Sequence, residues 1–462
     1  MKKVIKLDNS NSEDIEKFLP FIPNEEQKEA LCLLKNFLQP ENSDDFFILS
    51  GSAGTGKTSL AKAICDYLHD QQINVFLCAP TGRASFVISN KTNREARTIH
   101  SLIYSPTVNK KRRRIILHIK KNASKGIYIV DESSMISNVV RSEEGLFLTP
   151  SSLLKDLITF IKQGDSRNKI IFIGDRFQLP PVGQKDGLVP ALDRKYLESQ
   201  FNLKGNEFTL TNPMRQKENS IILQVATQIR NRMMRGEKGE FLKGTWFSYS
   251  DGIQKLAEIY HQDCEKIDSA VLIALKNEDV HNFNKEIRKA IWGEKQALKL
   301  HPGDWVILQQ NCYLGNKTFY NGESAIVESI DWGNINRVAD LHFAKVRLRF
   351  KRHSYEEIIE RLMLLEVLDS PTGELSQEQE DALWVSEYKH NKIFSTTNDP
   401  RDSNYINAFR LRYGYALTCH KAQGGEWDNV FIYSSYHPDN QAWQYTAVTR
   451  ARNNYFIVKK KD

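Results

Sequence analysis

The feature that most constrains this chain is a glycine-rich loop between an apolar segment and a stretch of helix-forming residues. Residues 46–64 read FFILSGSAGTGKTSLAKAI, and the spacing from Gly51 to Thr58 is G-x-x-x-x-G-K-T. Glycine lets backbone N–H groups turn towards phosphate oxygens, and the helix that follows favours negative charge at its N-terminus. The loop therefore predicts a nucleoside triphosphate site, with Lys57 on the β- and γ-phosphates and the Thr58 hydroxyl on Mg²⁺. Its expected nucleotide contacts are Gly51, Ser52, Ala53, Gly54, Thr55, Gly56, Lys57, Thr58 and Ser59.

Composition limits the class of protein but not the function of the loop, because kinases, motors, switches and translocases share it. The chain has 462 residues, of which 40% are hydrophobic, and this length suits about three domains. No apolar run reaches the roughly 18 residues that span a bilayer, and the first residues have no apolar signal-peptide core, so we expect a soluble, cytoplasmic protein. Six cysteines without C-x-x-C spacing predict free thiols, and a formal net charge of +7 suits nucleic acid without requiring it.

Two sets of short apolar runs predict two α/β lobes. Alternation of buried strands with helical stretches is typical of a parallel, doubly wound sheet whose ligand site lies at the carboxyl ends of the strands. The second set has no phosphate loop of its own, so we expect the second lobe to close over a nucleotide bound by the first. The first set comprises residues 46–50, 75–80, 126–132 and 169–175, and the second comprises residues 270–275, 413–418, 429–435 and 455–460.

Three further runs, which lie between the strands of the second lobe, have the composition of β-strands. Residues 301–311, 322–330 and 343–350 are separated by turn residues, and they predict a small inserted barrel. Residues 369–404 are polar and partly acidic, so we expect a mobile excursion from the fold. The densest basic run, PTVNKKRRRIILHIKK at residues 106–121, is either a solvated charged loop or a nucleic-acid contact.

Acidic and amide side chains follow two of the predicted strands. Asp131 and Glu132 come directly after one apolar run, and Gln178 follows another. We expect Asp131 to hold Mg²⁺ through water, Glu132 to polarise the attacking water, and Gln178 to sense the γ-phosphate. Solvated turn residues and a loop amide are the alternative interpretation, although a phosphate loop about seventy residues upstream favours catalysis.

Nine sequence elements in a fixed order resemble the motifs of superfamily 1 helicases of the 5′-to-3′ group, the RecD-like and phage Dda-like enzymes. The resemblance covers nearly the whole chain. Its elements are EEQ around Gln27, GSAGTGKT (51–58), APTGRA (79–84), TIHS (98–101), VDESSM (130–135), GDRFQLPPVG (174–183), NPMRQ around Arg215, YALTCHKAQGGEW (415–427) and YTAVTRAR (445–452).

The resemblance implies an α/β fold of two RecA-like, doubly wound parallel-sheet lobes, with a small β-hairpin pin inserted in the first and an SH3-like β-barrel in the second. The implied boundaries are 1–245 for the first lobe with its pin at about 104–125, and 246–462 for the second with its barrel at about 301–410. The family's activity is ATP- and Mg²⁺-dependent DNA unwinding by a monomeric motor, which moves on single-stranded DNA and acts at junctions between single strand and duplex. RNA stays open as a track. So do two other functions, an ATPase that remodels protein–DNA complexes without unwinding and a nucleotide-gated regulatory module.

The matched motifs also imply roles for single residues. Gln27 would read the adenine edge, and Glu426 would hold the ribose or order the site. Arg215 and Arg450 would be arginine fingers that stabilise charge on the transferring phosphoryl group, with a surface or interdomain salt bridge as the alternative for each. The pair Gly424-Gly425 departs from the pattern, because relatives often have a single glycine with a small or apolar residue there.

Nucleic-acid contacts are implied on the face opposite the nucleotide. Hydroxyl, imidazole and backbone donors suit phosphate oxygens, and such contacts carry no sequence information. Each histidine taken alone is more often a structural hydrogen-bonding residue. The basic run at 106–121 matches the position of the pin, where Ile115, Ile116 and Leu117 would supply an apolar tip. The implied contacts are Thr81, Gly82, Arg83, His100, Pro180, Thr418 and His420.

Overall fold

Two parallel β-sheets and a closed barrel form the framework of the protein. Within the described ranges, helices that combine the length and the apolar character needed to cross a bilayer are absent. The computed structural model describes residues 13–109, 114–140, 147–181, 183–184, 187–212, 220–315, 317–351 and 355–461.

The elements before residue 211 build the first lobe, and those after residue 220 build the second lobe and the barrel. The first group contains α1 (Glu13–Glu16), α2 (Glu25–Leu38), β1 (Phe46–Gly51), α3 (Lys57–Asp70), β2 (Val75–Ala79), α4 (Gly82–Thr92), β3 (Ala96–Thr98), α5 (Ile99–Ile103), β4 (Tyr104–Asn109), β5 (Arg114–Ile119), β6 (Ile127–Val130), β7 (Phe147–Leu148), α6 (Leu153–Gly164), β8 (Lys169–Gly174), α7 (Arg194–Phe201) and β9 (Gly205–Leu210). The second group contains α8 (Ile221–Arg235), β10 (Thr245–Phe247), α9 (Tyr249–Gln262), β11 (Ala270–Ala274), α10 (Asn277–Trp292), β12 (Trp305–Leu308), β13 (Cys312–Leu314), β14 (Lys317–Phe319), β15 (Ser324–Val338), β16 (Leu341–Lys351), β17 (Glu356–Leu364), α11 (Gln377–His390), α12 (Lys392–Thr397), β18 (Phe409–Tyr413), β19 (Ala416–Thr418), α13 (Cys419–Ala422), β20 (Trp427–Tyr433), α14 (Gln441–Val448) and β21 (Ala451–Val458).

The first sheet is parallel throughout, with six strands in the order β3-β2-β6-β8-β1-β9. The four predicted strands, β1, β2, β6 and β8, are confirmed, and they are apolar and largely buried. The edge strands β3 and β9 escaped prediction, because β3 has three residues and β9 exposes polar side chains. Since β6, β8 and β1 are neighbours, the loops at their carboxyl ends meet at one edge of the sheet.

A β-hairpin is inserted between α5 and β6, as expected. Strands β4 and β5 pair antiparallel along their length, and β7 pairs with β5 in parallel. The Tyr104 hydroxyl donates to Asp156 Oδ2 at 2.7 Å and ties the base of the hairpin to α6. The hairpin tip at residues 110–113 lies outside the described residues, and so does the side chain of Ile115. The function of the hairpin as a pin therefore stays a prediction.

The second sheet is also parallel, with five strands in the order β10-β21-β20-β11-β19. Each of the four predicted runs overlaps one of its strands. Helix α8 packs in the apolar core of this lobe through Ile222, Ala226 and Ile229. It therefore lies with the second lobe, although it precedes the predicted boundary at residue 245, which stays a prediction.

The insertion in the second lobe is a closed barrel of five strands, β12-β15-β16-β17-β18. The three predicted strands are confirmed as β12, β15 and β16, and the closed form agrees with an SH3-like insertion. Strand β18 escaped prediction because it contains two arginines, yet all its residues are buried. Arg410 pairs with Glu380, and Arg412 donates to the Pro371 carbonyl oxygen at 3.1 Å.

Residues 369–404 form helices rather than the expected mobile excursion. Helix α11 begins with a capping box between Ser376 and Gln379. Leu383, Trp384 and Phe394 are buried in a small apolar core shared with barrel strands β16 and β17. The expectation was wrong because a few apolar side chains in a polar segment are enough to pack helices α11 and α12 against the barrel.

Candidate active site

The phosphate loop follows the buried strand β1 and leads into α3, as the sequence predicted. Gly54 and Gly56 have φ angles of 78° and 89°, a left-handed conformation that residues with a Cβ rarely adopt. The Lys57 ammonium donates to the carbonyl oxygens of Gly51 at 2.6 Å and Ser52 at 2.9 Å. Its charge is thereby held in the loop at the N-terminus of α3, where phosphate oxygens are favoured.

Gln27 joins the start of α2 to the phosphate loop. Its side-chain oxygen accepts from Asn24 N–H at 3.1 Å, and its backbone N–H donates to Asn24 Oδ1 at 2.9 Å, which makes a capping box. Its Nε2 donates to the Thr55 carbonyl oxygen at 3.0 Å, and the residue is fully buried. The amide thus supports the loop, and its contact with adenine stays a prediction.

Asp131 and Glu132 follow β6 and face charges from both lobes. Glu132 has φ 50° and ψ 39°, a left-handed conformation that costs a non-glycine residue about 1–3 kcal/mol and concentrates at functional sites. Burial raises the pKa of both carboxyl groups, and the positive charge of Lys57 opposes the increase in each. Arg450 of the second lobe opposes the raised pKa of Glu132 further. These four side chains therefore form one electrostatic site.

The oxygen donors beside the phosphate loop fit the preferences of Mg²⁺. The Thr58 hydroxyl lies in the first turn of α3. Asp131 directly follows β6, whose carboxyl end lies at the same edge of the parallel sheet as that of β1, where the phosphate loop begins. Mg²⁺ takes one or two protein oxygens and completes its shell with phosphates and water. Groups of three or more metal-binding side chains are absent from the described ranges. The pair therefore suits a Mg²⁺ ion that arrives with a nucleotide.

The loop after β8 contains Asp175, to which the sequence assigned no role, and Gln178, the predicted γ-phosphate sensor. Asp175 Oδ2 accepts a hydrogen bond at 2.6 Å from the hydroxyl of Tyr445, which lies on α14 of the second lobe. The same hydroxyl accepts from the backbone N–H of Ala53 at 3.2 Å. Gln178 is 5% exposed, and its side-chain oxygen has no hydrogen-bond partner in the described structure. Asp175 and Tyr445 lie within the motifs GDRFQLPPVG and YTAVTRAR, and that position was the only signal in the sequence.

Arg450 is held by its own lobe. Its Nε donates to the Thr446 carbonyl oxygen at 3.1 Å, its Nη1 to the Gly425 carbonyl oxygen at 3.2 Å, and its Nη2 to Thr449 Oγ1 at 3.2 Å. The side chain is buried, with 4% of its surface exposed. All three partners are neutral oxygens, so the guanidinium keeps its charge available for Glu132 and for a phosphoryl group, as an arginine finger requires.

Two other predicted nucleotide contacts have different outcomes. Glu426 Oε1 accepts from Lys91 Nζ at 3.2 Å, which links the second lobe to α4 of the first. Burial is the main cause of the raised pKa of Asp131, and the negative charge of Glu426 raises this pKa further, so Glu426 borders the same site. Its contact with ribose stays a prediction. Arg215 belongs to residues 213–219, which lie outside the described residues, and its role as a finger stays a prediction too.

Arg83 lies in a junction between the two lobes and the barrel, whereas the sequence predicted a nucleic-acid contact. Its guanidinium carbon is 4.0 Å from the centroid of the Trp427 ring, and its nitrogens donate to Asp268 Oδ1 at 2.8 Å and Ser324 Oγ at 3.0 Å. We call these four residues the Arg83 junction. The side chain is 8% exposed and paired with a carboxylate, so this conformation leaves it no open surface for a strand. Gly425 makes room for the junction, because a Cβ there would lie 2.6 Å from the Trp427 ring.

Three of the other predicted nucleic-acid contacts have structural roles in this conformation. Thr81 caps α4 and Thr418 caps α13, each through a hydroxyl that accepts from a backbone N–H. Gly82 packs against the turn before β15, where a Cβ would lie 2.6 Å from the Asn321 carbonyl oxygen. Binding of nucleic acid by these residues stays a prediction.

His100, Pro180 and His420 are partly exposed. The His100 ring lies 5.6 Å from the Tyr104 ring at the base of the hairpin. Burial lowers the pKa of His420, which keeps its imidazole neutral with one N–H donor. Such a group suits a phosphate oxygen, and the nucleic-acid contacts of these three residues stay predictions.

Comparisons with known proteins agree with the order of the motifs. A family model described as an AAA domain matches residues 23–245, and a UvrD-like helicase C-terminal domain matches residues 413–458. The ATP-dependent RecD2 DNA helicase of Deinococcus radiodurans is 24% identical over 88% of this chain and 46% of its own length. The ATP-dependent DNA helicase Dda of Enterobacteria phage T4 is 26% identical over 89% of this chain and 93% of its own length. These similarities agree with the resemblance of the motifs to the RecD- and Dda-like helicases of superfamily 1B. It spans about half the length of the RecD2 relative and nearly all of the Dda relative.

Solved structures of Pif1 helicases share the fold. The Candida albicans Pif1 helicase has a TM-score of 0.50 and 17% identity, over 95% of this chain and 94% of that one. A structure of Pif1 helicases at forked double-stranded DNA has a TM-score of 0.51 and 19% identity, over 94% of this chain and 92% of that one. This likeness supports the architecture of two parallel sheets and an inserted barrel for this chain.

Proposed function

We propose that this protein is an ATP-dependent DNA helicase that works as a monomer. It hydrolyses ATP with Mg²⁺ between its two lobes, moves 5′-to-3′ on single-stranded DNA and separates duplex strands. The observation that carries the proposal is the divided site, in which Lys57 and Glu132 of the first lobe share their electrostatic environment with Arg450 of the second. The RecD2 and Dda relatives are ATP-dependent DNA helicases, and the forked-DNA Pif1 structure concerns DNA unwinding, which supports both the activity and the substrate.

Each residue of the divided site has its own task in the proposed hydrolysis. Lys57 and the N–H groups of the loop hold phosphate oxygens. Glu132 orients the attacking water and accepts its proton, because burial raises the pKa of this carboxyl group and makes it a better base. Thr58 and Asp131 would hold Mg²⁺, which when bound neutralises charge on the phosphates. Arg450 stabilises the charge on the transferred phosphoryl group, a contribution of about 10³ to 10⁵ in rate for such arginines.

Closure of the lobes links hydrolysis to movement in this proposal. Tyr445 and Arg450 enter the site from the second lobe, so the site is complete only when the lobes are together. ATP binding would favour the closed arrangement and hydrolysis the open one, and alternating grip on strand phosphates would give directional steps. The β4–β5 hairpin would part the strands, at a cost of about 1.4 kcal/mol per base-pair step.

The test is ATP turnover with and without single-stranded DNA, followed by strand separation of a duplex with either a 5′ or a 3′ tail. We expect DNA to raise turnover and only the 5′-tailed duplex to be unwound. Turnover without stimulation by DNA would contradict the helicase and favour a regulatory module. Stimulation without strand separation would favour remodelling of protein–DNA complexes. A parallel series with single-stranded RNA identifies the track.

A further inference from the structure

The hydroxyl of Tyr445 connects three parts of the site that are distant in sequence. The residue belongs to α14 of the second lobe, and its side chain is fully buried. Its hydroxyl accepts from Ala53 N–H in the phosphate loop at 3.2 Å and donates to Asp175 Oδ2 at 2.6 Å. Both partners belong to the first lobe. One hydroxyl therefore spans the interface and touches the loop that cradles phosphate.

The second lobe also contacts the other end of the loop that contains Asp175, at Leu179. Leu179 N–H donates to Thr446 Oγ1 at 2.8 Å, and Gln423 Nε2 donates to the Leu179 carbonyl oxygen at 3.1 Å. Gln178, the predicted γ-phosphate sensor, lies between these contacts. The second lobe thus holds residues 175–179 at both ends. It reaches the phosphate loop through Tyr445 and also through Arg230 of α8, whose Nη1 donates to Ser52 Oγ at 2.9 Å.

The Tyr445 phenol donates one hydrogen bond and accepts another, and each role is fixed by its partner. A neutral phenol has one donor, and here the donor is committed to a carboxylate, which leaves the oxygen to accept from Ala53. Asp175 is buried, and its other oxygen, Oδ1, accepts from Phe177 N–H at 3.0 Å, so Tyr445 supplies the partner of Oδ2. The Tyr445 hydroxyl, which arrives only with the second lobe, therefore fixes Asp175 Oδ2 and the Ala53 N–H relative to each other.

We propose that Tyr445 is a positioning residue that transmits lobe closure to the phosphate loop, because its hydroxyl sets the Ala53 amide and the Asp175 carboxylate in the geometry that supports hydrolysis. This inference rests on the proposed function, since it concerns the same ATP site. It adds a residue that acts on the loop rather than on the nucleotide. ATP binding by the first lobe alone does not need it, whereas turnover by the closed site does.

The first test is Tyr445→Phe in the full chain, which keeps the ring and removes the hydroxyl. We expect kcat for ATP in the presence of single-stranded DNA to fall about tenfold, with KM changed by less than about twofold. The matched control is Tyr436→Phe. Tyr436 is a buried tyrosine whose hydroxyl accepts from Leu242 N–H at 3.2 Å inside the second lobe. This control should leave both constants within about twofold of wild type.

A double-mutant cycle separates positioning from simple stability. If Tyr445 acts through Asp175, then Tyr445→Phe should add little to the loss of turnover caused by Asp175→Ala, which removes the accepting carboxylate, since the two changes break the same hydrogen bond. Additive losses, or a Tyr445→Phe variant that turns over like Tyr436→Phe, would overturn the inference. The inference would also be overturned if Tyr445→Phe lowered both kcat and the melting temperature and raised KM, because that pattern indicates general destabilisation. A wild-type protein without ATP turnover would overturn the proposed function as well, whereas an active wild type with an unaffected Tyr445→Phe variant overturns the inference alone.

Discussion

Two buried arginines at the lobe interface, Arg450 and Arg83, differ in what holds them. They are 4% and 8% exposed. Arg450 donates to neutral oxygens of its own lobe and keeps its charge for the nucleotide side. Arg83 pairs with the carboxylate of Asp268 and covers Trp427, both in the second lobe. The arginine that we propose to act on the nucleotide is thus positioned by neutral oxygens of its own lobe, whereas the arginine that joins the lobes pairs with a carboxylate of the other lobe.

On the nucleotide side of the interface, where Arg450 lies, we expect the largest effect from Lys57→Ala in the phosphate loop. The ammonium that lies in the phosphate loop would be lost, so we expect ATP turnover to fall by about 10³ or more. Affinity for single-stranded DNA should change little, since Lys57 faces the loop. The control is Lys62→Ala in the same helix, where the lysine pairs with Asp66. Parallel loss of DNA binding and turnover would indicate misfolding and remove the support for this assignment.

Arg83→Leu tests the Arg83 junction by removing its guanidinium group. Loss of the ring contact and two hydrogen bonds should destabilise the lobe contact by about 1–3 kcal/mol, seen as a lower melting temperature and a few-fold lower DNA-stimulated turnover. Arg97→Leu is the control, because Arg97 is exposed and pairs only locally, with Glu95 at 2.8 Å. A variant with an unchanged melting temperature but weaker, less salt-dependent DNA binding would restore the predicted nucleic-acid contact and contradict the junction.

A smaller effect sharpens the same junction. Gly425→Ala would place a Cβ 2.6 Å from the Trp427 ring and against Arg83, so we expect partial displacement of the guanidinium and a milder form of the Arg83→Leu phenotype. Gly333→Ala is the control, because the nearest atom to its Cβ would be Asp331 Oδ1 at 3.4 Å. Gly425→Ala should lower the melting temperature less in the Arg83→Leu background than in the wild-type protein. Equal costs in the two backgrounds would mean that Gly425 serves something other than the junction.

Much of the first lobe was predictable because its signals are local. The phosphate loop, the strand before it and the acidic pair after β6 are read from contiguous residues. The partners of Arg83 are not, since Asp268 lies 185 and Ser324 lies 241 positions along the chain. The motif that contains Arg83 therefore suggested a strand contact, and only the packing of the barrel and second lobe revealed a junction.

The second lobe shows where local signals fail. Strand β18 reads FRLRY, and the partners of its buried arginines lie outside the strand, since Arg410 pairs with Glu380 and Arg412 donates to the Pro371 carbonyl oxygen. Tyr445 stood inside a recognised motif, yet its link to Ala53 joins residues 392 positions apart. Sequence spacing carries no information about such a contact, so the sequence predicted that the second lobe closes over the nucleotide but did not predict this hydrogen bond between the lobes.

The central claim is that ATP hydrolysis needs a group from each lobe, and single-turnover hydrolysis by Arg450→Ala tests it most directly. The matched control is Arg452→Ala, which removes an exposed arginine two residues away whose nearest acidic groups are Asp428 and Glu426 at 3.5 and 3.6 Å. With single-stranded DNA saturating, Arg450→Ala should bind ATP with about wild-type affinity and hydrolyse it about 10³-fold more slowly, while Arg452→Ala stays near wild type. Hydrolysis by Arg450→Ala at the wild-type rate would contradict the claim that the active site is divided between the lobes.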